Sequence, residues 1–485
     1  MLGGVRPGKR RSWWLRQAVA AESRELRAAA PPLVGDTSAD VAILGGGYTG
    51  LWTAWHLTEL SPGIRVAIVE RDICGGGASG RNGGFVTAWW DELPALVERH
   101  GVEGGLAVAR AVSAAVDEIG AWSKRHRVGA EYRKAGYVQA SAAPAQDGGW
   151  RAAVELCERL GVGEEYVSLS ADAVAARVRS PVFREGVFMR GAATVQPGRL
   201  ARGLRRVLLK RGVVIHERTA AGALPAGRSA GRVTVDTSSR AGRGSIAADQ
   251  VVVALNAWAA ARPGIGRRLV TWSSYIVLTE PIPDRLTELG WTGGEGVTDS
   301  RFTLHYARTT TDGRIALGGG GGRAGSGGGI GRSFTHDLGS AERAAAGLRR
   351  WFPSLADIRI EDAWGGPIDI SADHLPFFGT LDGGSVHFGH GYSGNGVGPA
   401  WLGGRILAGL ALGRTDEFTS LGLAGSRAQP RAFPPEPLRS IGARVIREAI
   451  VRRELTEEAG RRPGRFVREL TRLPRRLGYH LGPNR

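Results

Sequence analysis

Asp40-Val41-Ala42-Ile43-Leu44-Gly45-Gly46-Gly47-Tyr48-Thr49-Gly50 reads as a short apolar strand that breaks on three glycines and restarts as a helix. The helix is expected over about 48–60, Ser61-Pro62-Gly63 makes a turn, and 65–70 is a second strand carrying Val66, Ile68 and Val69. Such a strand–helix–strand unit of about 30 residues has the size of a parallel crossover. In Gly45-x-Gly47-x-x-Gly50 the first glycine permits the sharp turn and the second lets a pyrophosphate approach the backbone. The third lets helix and strand pack closely. The helix then turns its free N–H groups and its positive dipole end towards the phosphates. Glu70 ends the second strand 20 residues after Gly50. A carboxylate there accepts hydrogen bonds from ribose hydroxyls and repels a 2′-phosphate. The motif predicts a dinucleotide site without saying which dinucleotide.

A second glycine-rich loop follows at once: Gly75-Gly76-Gly77-Ala78-Ser79-Gly80-Arg81-Asn82-Gly83-Gly84. Here the chain resembles the D-amino-acid-oxidase-like family of FAD-dependent oxidoreductases, especially its γ-glutamylputrescine-oxidase-like branch. The resemblance continues in Val251-Val252-Val253-Ala254-Leu255-Asn256-Ala257-Trp258, where Asn256 departs from the usual Thr-Gly-Ala-Trp-like ending. It continues in Ser274-Tyr275-Ile276-Val277 with Thr279-Glu280-Pro281, in Trp364-Gly365-Gly366 and in the 391–396 loop, and it spans about residues 36–415. It implies that the 79–84 loop runs under the pyrophosphate and flavin, with Ser79, Arg81, Asn82 and Gly83 lining FAD. Ser79 and Arg81 have the chemistry to reach phosphate oxygens. The candidate cofactor set is Gly45, Gly47, Tyr48, Thr49, Gly50, Glu70, Arg71, Ser79, Gly80, Arg81, Asn82, Gly83, Gly84, Gly394, Asn395, Gly396 and Val397.

The resemblance also implies the reaction: hydride leaves the carbon next to nitrogen for flavin N5, the imine hydrolyses, and oxygen reoxidises the flavin to give hydrogen peroxide. The cofactor carries the difficult step, so no catalytic triad or metal is required. The ten histidines show no HxxxH or HxH spacing. The 391–396 loop leads into a helix expected over 398–412, whose N-terminus would stabilise negative charge on the reduced ring. Tyr275, Arg308 and Tyr392 are the catalytic candidates; Tyr306, Arg308 and Trp364 are the substrate candidates. Arg308 suits a substrate carboxylate, although one residue is inserted between Tyr306 and Arg308 relative to the Tyr-Arg pairs of relatives. Tyr275, Tyr392 and Trp364 suit a wall for an amine or ordinary core packing. Relatives that attach flavin through cysteine do so late in the chain. None follows Cys157, so FAD is expected to be non-covalent.

The expected fold is α/β. An FAD-binding, Rossmann-like parallel-sheet domain is built from 36–100, 190–272 and 360–415. A mixed-sheet α+β substrate domain comes from 101–189 and 273–359, with a helical leader over 1–35 and an arginine-rich helical tail over 426–485. Helical spacing marks 102–125, 151–179 and 441–458; strand-like runs mark 213–216, 232–236, 250–255, 275–279, 314–317 and 386–388. Residues 318–331 are glycine-rich, a spacer or a lid by composition.

Bulk properties restrict the alternatives. Of the net charge of +18, residues 1–30 hold +5 and residues 431–485 hold +8, which leaves +5 for the 400 residues between. The basicity belongs to the tails, which weighs against nucleic acid as the main partner. Arg10-Arg11-Ser12-Trp13-Trp14 lacks the apolar stretch of an export signal, because Gln17, Glu22, Arg24, Glu25 and Arg27 follow. An amphipathic helix packing through Trp13 and Trp14 is expected instead. No run of 18 apolar residues exists. Two cysteines, Cys74 and Cys157, suit a reducing compartment, and the cytoplasm is the expected one. The expected partners are a small amine or amino acid and oxygen. Two alternatives stand beside the oxidase: a flavin dehydrogenase serving a quinone or carrier, and a flavoprotein that docks RNA through its basic tails.

Overall fold

The computed structural model describes residues 11–224, 231–319, 321–326, 328–381, 383–425 and 428–480. Parts of three expected features lie outside the described residues: 1–10 of the leader, including Arg10; positions 320 and 327 of the glycine run; and 426, 427 and 481–485 of the tail.

Two sheets of eight strands each, counted among the described residues, organise the molecule. Gly35–Leu44 lies at the centre of the first, parallel to Arg243–Val253 on one side and to Val66–Val69 on the other. Val214–His216 and Val386–His390 extend this parallel run at its two ends. Val66–Val69 is buried at every position, as a parallel strand covered on both faces should be. Helix Tyr48–Leu60 packs against Val397–Ala411 at very short range. A β-carbon on Gly404 would lie 2.6 Å from Trp52 Cβ, so only glycine permits that approach.

The second sheet is mixed. Its order runs Ile360–Ile370, Val270–Thr279, Ile315–Gly318, Tyr306–Thr309, Gly296–Asp299, Tyr137–Ala140, Gly186–Met189 and Tyr166–Leu169. All neighbours are antiparallel except Gly296–Asp299 with Tyr137–Ala140. Helix Leu338–Trp351 backs it, burying Ala344, Ala345, Leu348 and Trp351 with Tyr275, Val277 and Leu317. The two sheets give the α/β architecture of a parallel, Rossmann-like dinucleotide-binding region joined to a mixed-sheet region. Among the described residues no helix is long and apolar enough to cross a membrane.

Three placements differ from the sequence expectation. Residues 151–179 are not one helical region: helices Arg151–Arg159 and Ala171–Ala175 flank the strand Tyr166–Leu169. Ile360–Ile370, expected with the dinucleotide-binding segments, pairs along its length with Val270–Thr279 in the second sheet. The helix expected from 102 begins at Leu93 and breaks at Gly101, whose φ of 72° is left-handed. Its buried face, Val108, Val112, Val116 and Trp122, joins the core of Trp52 and Leu402 rather than a substrate-domain core.

The leader forms helix Trp13–Ala20, and its docking is specific. Trp14 is fully buried, edge-on to Trp364 with centroids 5.8 Å apart. The Trp14 carbonyl accepts from Gln196 Nε2 at 2.9 Å, and Ser12 donates to the Gly80 carbonyl. Arg202 grips Glu22 through Nε and Nη2 at 2.6 and 2.7 Å. Arg16 pairs with Asp362 of the second sheet. The leader thus contacts the 79–84 loop, helix Pro197–Lys210 and the second sheet. Trp14→Ala should lower the free energy of unfolding by roughly 3–5 kcal/mol, the usual cost of emptying a buried indole site. Urea titration checks this, and a loss under 1 kcal/mol would mean that the leader is not part of the cooperative core.

Candidate functional site

Gly45 opens the turn with φ +114°, and an ideal β-carbon there would meet the Ala254 carbonyl oxygen at 2.4 Å. One on Gly50 would meet the Gly45 carbonyl oxygen at 2.0 Å. Both glycines are therefore obligatory, for close approach between turn, helix and returning strand. The ladder of helix Tyr48–Leu60 starts with Leu51 N–H donating to the Gly47 carbonyl at 2.9 Å. The N–H groups of Thr49 and Gly50 precede it, while that of Tyr48 donates to Ser79 Oγ at 2.8 Å.

Glu70 accepts from Gly46 N–H at 2.9 Å and Asp72 N–H at 2.7 Å. A carboxylate has further lone pairs for two ribose hydroxyls. Burial raises its pKa, against the lowering effect of those two backbone bonds.

A single cavity of about 2170 Å³ runs past these residues. Its wall contains Gly45, Gly47, Tyr48, Thr49, Glu70, Arg71, Ser79, Arg81, Asn82, Gly83, Gly394, Asn395, Gly396 and Val397, which the sequence singled out for the cofactor, together with Tyr306 and Tyr392. Gly50, Gly80 and Gly84 stand behind the wall. A β-carbon on Gly80 would meet the Gly75 carbonyl at 2.3 Å, and one on Gly84 the Val195 carbonyl at 2.1 Å. The two glycine loops converge: Thr87 Oγ1 donates to Asn395 Oδ1 at 2.7 Å.

Some side chains act differently from the expectation. Arg81 braces the loop by donating to the Gly76 carbonyl at 3.0 Å and the Gly365 carbonyl at 3.2 Å. Asn82 donates to the Ala78 and Ser79 carbonyls and accepts from Gly84 N–H at 2.7 Å, which shapes the loop.

Arg308, Trp364 and Tyr275, expected at the substrate, are not in the cavity wall. Arg308 is buried, donates to the Val195 carbonyl and lies over the Trp14 ring at 5.6 Å. Trp364 donates to the Arg81 carbonyl at 2.8 Å and packs on Trp14. Both are on strands that reach the cavity, but the leader helix covers their end of the sheet. Tyr275 falls on the opposite face from Trp272 and Ser274 by strand alternation, and its hydroxyl donates to the Ser333 carbonyl. Tyr392 lines the cavity and accepts from Thr49 Oγ1 at 3.0 Å.

Sequence reasoning missed Asp369. Its carboxylate accepts from Gly391 N–H at 2.6 Å and Asn256 Nδ2 at 2.7 Å, so it fixes the start of the second glycine loop. Asn256 holds a left-handed φ of 47° to make that bond. A lone acid between Ile368 and Ile370 in an apolar strand was the available signal.

A glycine turn with orphan N–H donors, an acid at the neighbouring strand end and two convergent glycine loops define a dinucleotide-dependent oxidoreductase site. The family model described as "DAO: FAD dependent oxidoreductase" matches residues 40–410. The chain belongs to this family of FAD-dependent oxidoreductases, and FAD is its cofactor. It is similar to a probable oxidoreductase OrdL of Rhizobium meliloti, 31% identical over 401 residues covering 81% of this chain and 87% of the relative. It is also similar to the gamma-glutamylputrescine oxidoreductase of Escherichia coli, 27% identical over 78% of this chain and 85% of the relative. Its fold resembles that of L-proline dehydrogenase from P. horikoshii, with a TM-score of 0.64, 18% identity and coverage of 80% and 96% of the two chains. Glycine oxidase from Geobacillus kaustophilus gives a TM-score of 0.61 at 20% identity, with coverage of 78% and 96%.

Burial raises the Asp369 pKa from 3.8 to about 7, against the lowering effect of its hydrogen bonds. An acid whose pKa is higher folded than unfolded holds its proton more tightly in the folded state, so its contribution to stability falls as pH rises between those values. The stability of the unaltered protein relative to Asp369→Asn should therefore decline from pH 4 to pH 7.5, as measured by urea titration. A difference independent of pH would mean that Asp369 is ionised throughout.

Proposed function

We propose that this FAD-dependent oxidoreductase oxidises the C–N bond of a small amine, with oxygen as electron acceptor. The placement of Arg308 carries the choice of an amine over an α-amino acid. The arginine suited to gripping a carboxylate is held by the Val195 carbonyl and the Trp14 ring, away from the cavity. Arg301, which does line the cavity, is paired with Glu454 and Glu458.

FAD, when bound, would supply the capacity to accept a hydride from the carbon next to nitrogen, leaving an imine that hydrolyses. The chain supplies binding and orientation. Trp272, Ser274, Tyr306 and Thr298 line the cavity beside the glycine loops. The hydroxyls of Ser274 and Tyr306 share a hydrogen bond of 2.9 Å. Each hydroxyl oxygen has two lone pairs, so the pair retains acceptor capacity for a substrate N–H. Burial pushes the Tyr306 phenol up to about 12, so it stays neutral and hydrogen-bonding across the physiological range. On the far side, the tail helices Leu438–Glu458 and Arg465–Arg476 border the cavity through Ile441, Val445 and Leu473. Cys74 and Cys157 are both buried and unpaired, which suits the reducing cytoplasm.

Anaerobic addition of primary and secondary amines to the purified yellow protein should bleach the flavin, and D- or L-α-amino acids should do so far less. Readmitted oxygen should restore the colour with one peroxide per turnover. Bleaching by amino acids alone would overturn the amine assignment. Bleaching by amines without peroxide would identify a dehydrogenase serving a quinone or carrier.

A further inference from the structure

Beyond Tyr306 the cavity wall continues into a region, here called the arm, that carries two acids. Phe85 connects the two regions, its ring edge-on to Tyr306 at 5.6 Å and to Tyr137 at 5.8 Å. Past Tyr137 the wall is formed by Asp91, Glu92, Trp150 and Tyr166. Thr87 is bound to Asn395 of the second glycine loop. Asp91 follows four residues later, so its α-carbon lies within about 14 Å of that loop's contact, at the reach of an extended chain.

The ordinary use of two acids before a helix is to cap it, and here they do not. Glu92 is the N-cap residue of helix Leu93–Arg125, yet its side chain makes no capping hydrogen bond. Asp91 Oδ1 is sealed from solvent and has no hydrogen-bond partner. Among the described residues no cation pairs with either carboxylate: burial raises the Asp91 pKa against two backbone N–H bonds, its own and that of Glu92, and burial and the Asp91 charge both raise that of Glu92. Two adjacent, desolvated carboxylates beside aromatic walls are costly unless a cation neutralises them. Asp299, the third acid at this end, is already matched by His305 at 2.9 Å and by the charge of Arg301.

Resting on the amine reading above, we propose that this arm is a subsite for a second positive charge. The substrate is an extended diamine or polyamine whose distal ammonium is held by Asp91 and Glu92, with aromatic walls around its methylene chain. Tyr137, Tyr166 and Trp150 suit a cation and alkyl groups alike. A chain ending in a carboxylate would instead be repelled.

The test uses the FAD-loaded full chain. Anaerobic stopped-flow reduction is measured with α,ω-diamines of four to eight carbons, with monoamines of equal length, and with the matching ω-amino acids. The apparent Kd for a diamine should be about tenfold or more below that of the monoamine, a difference of about 1.4 kcal/mol. The ω-amino acid should bind weakest. In Asp91→Asn and Glu92→Gln, each checked for FAD content, the diamine-to-monoamine ratio should fall towards one. Equal affinity for diamines and monoamines in the unaltered protein would overturn the subsite and leave the amine reading intact. A ratio preserved in both variants would do the same. Failure of every amine to bleach the flavin would overturn both. The comparison within the unaltered protein decides the matter even if a variant does not fold.

Discussion

The carbonyl oxygen of Ala254 stands where a side chain on residue 45 would begin, and the Gly45 carbonyl stands where one on residue 50 would begin. The rest of the site depends on this double close approach. Ala254 also donates its N–H to the Leu44 carbonyl at 2.9 Å, which continues the pairing of the central strand past its end. The helix N-terminus, the end of the central strand and the end of its neighbour therefore meet at one place. Glu70 is tied to the same turn through Gly46 N–H, and Ser79 through Tyr48 N–H, so both the acid and the second loop are referenced to it. A β-carbon at either glycine would move all of them together, because backbone atoms that close have no side-chain slack to absorb the change.

This part of the molecule was legible because its rules are local. Strand, turn and helix each carry a pattern within 11 residues, and the observed helix Tyr48–Leu60 has the expected limits. The strand Tyr166–Leu169 was not legible for a related reason. Leu156 and Leu160, then Val174 and Val178, keep helical i, i+4 spacing on either side of it, and a four-residue strand is too short to outweigh them. Gly161 (φ 72°) and Gly163 mark the break, although isolated glycines carry little weight inside a periodic pattern.

The misread substrate residues have a non-local cause. Tyr306 and Arg308 are two apart on one strand and share a face, and the resemblance to relatives with Tyr-Arg pairs made both substrate candidates. The face is continuous, but its covering is not. Tyr306 borders the cavity, whereas Arg308 lies under Trp14, and Trp364 on the paired strand lies under the same indole. A leader some 290 residues away in sequence therefore decides which part of the sheet is wall and which is core. Asp369 escaped notice because an acid in an apolar strand looks unfavourable until its two donors, from Gly391 and Asn256, are brought to it by folding.

The same reasoning applies to charge. The sequence shows an arginine-rich tail, which suggests an external acidic partner. Yet the tail docks in part through its few acids. Glu454 is buried, accepts from Arg301 Nη2 at 3.1 Å and Thr303 N–H at 3.0 Å, and receives the Thr303 hydroxyl. Glu458 pairs with Arg301 and Arg350. Arg447 contributes by donating to the carbonyls of Gly321 and Gly322, which fixes part of the glycine-rich run against the tail. The remaining arginines of Arg465–Arg476 are exposed, where a charge in water contributes little to docking. Net charge thus describes what the solvent meets, while the minority charge, desolvated and ion-paired, helps to determine where the tail lies. The cavity arm inverts that arrangement: its two acids are desolvated but have no opposing charge beside them, which is why they point to a ligand rather than to the fold.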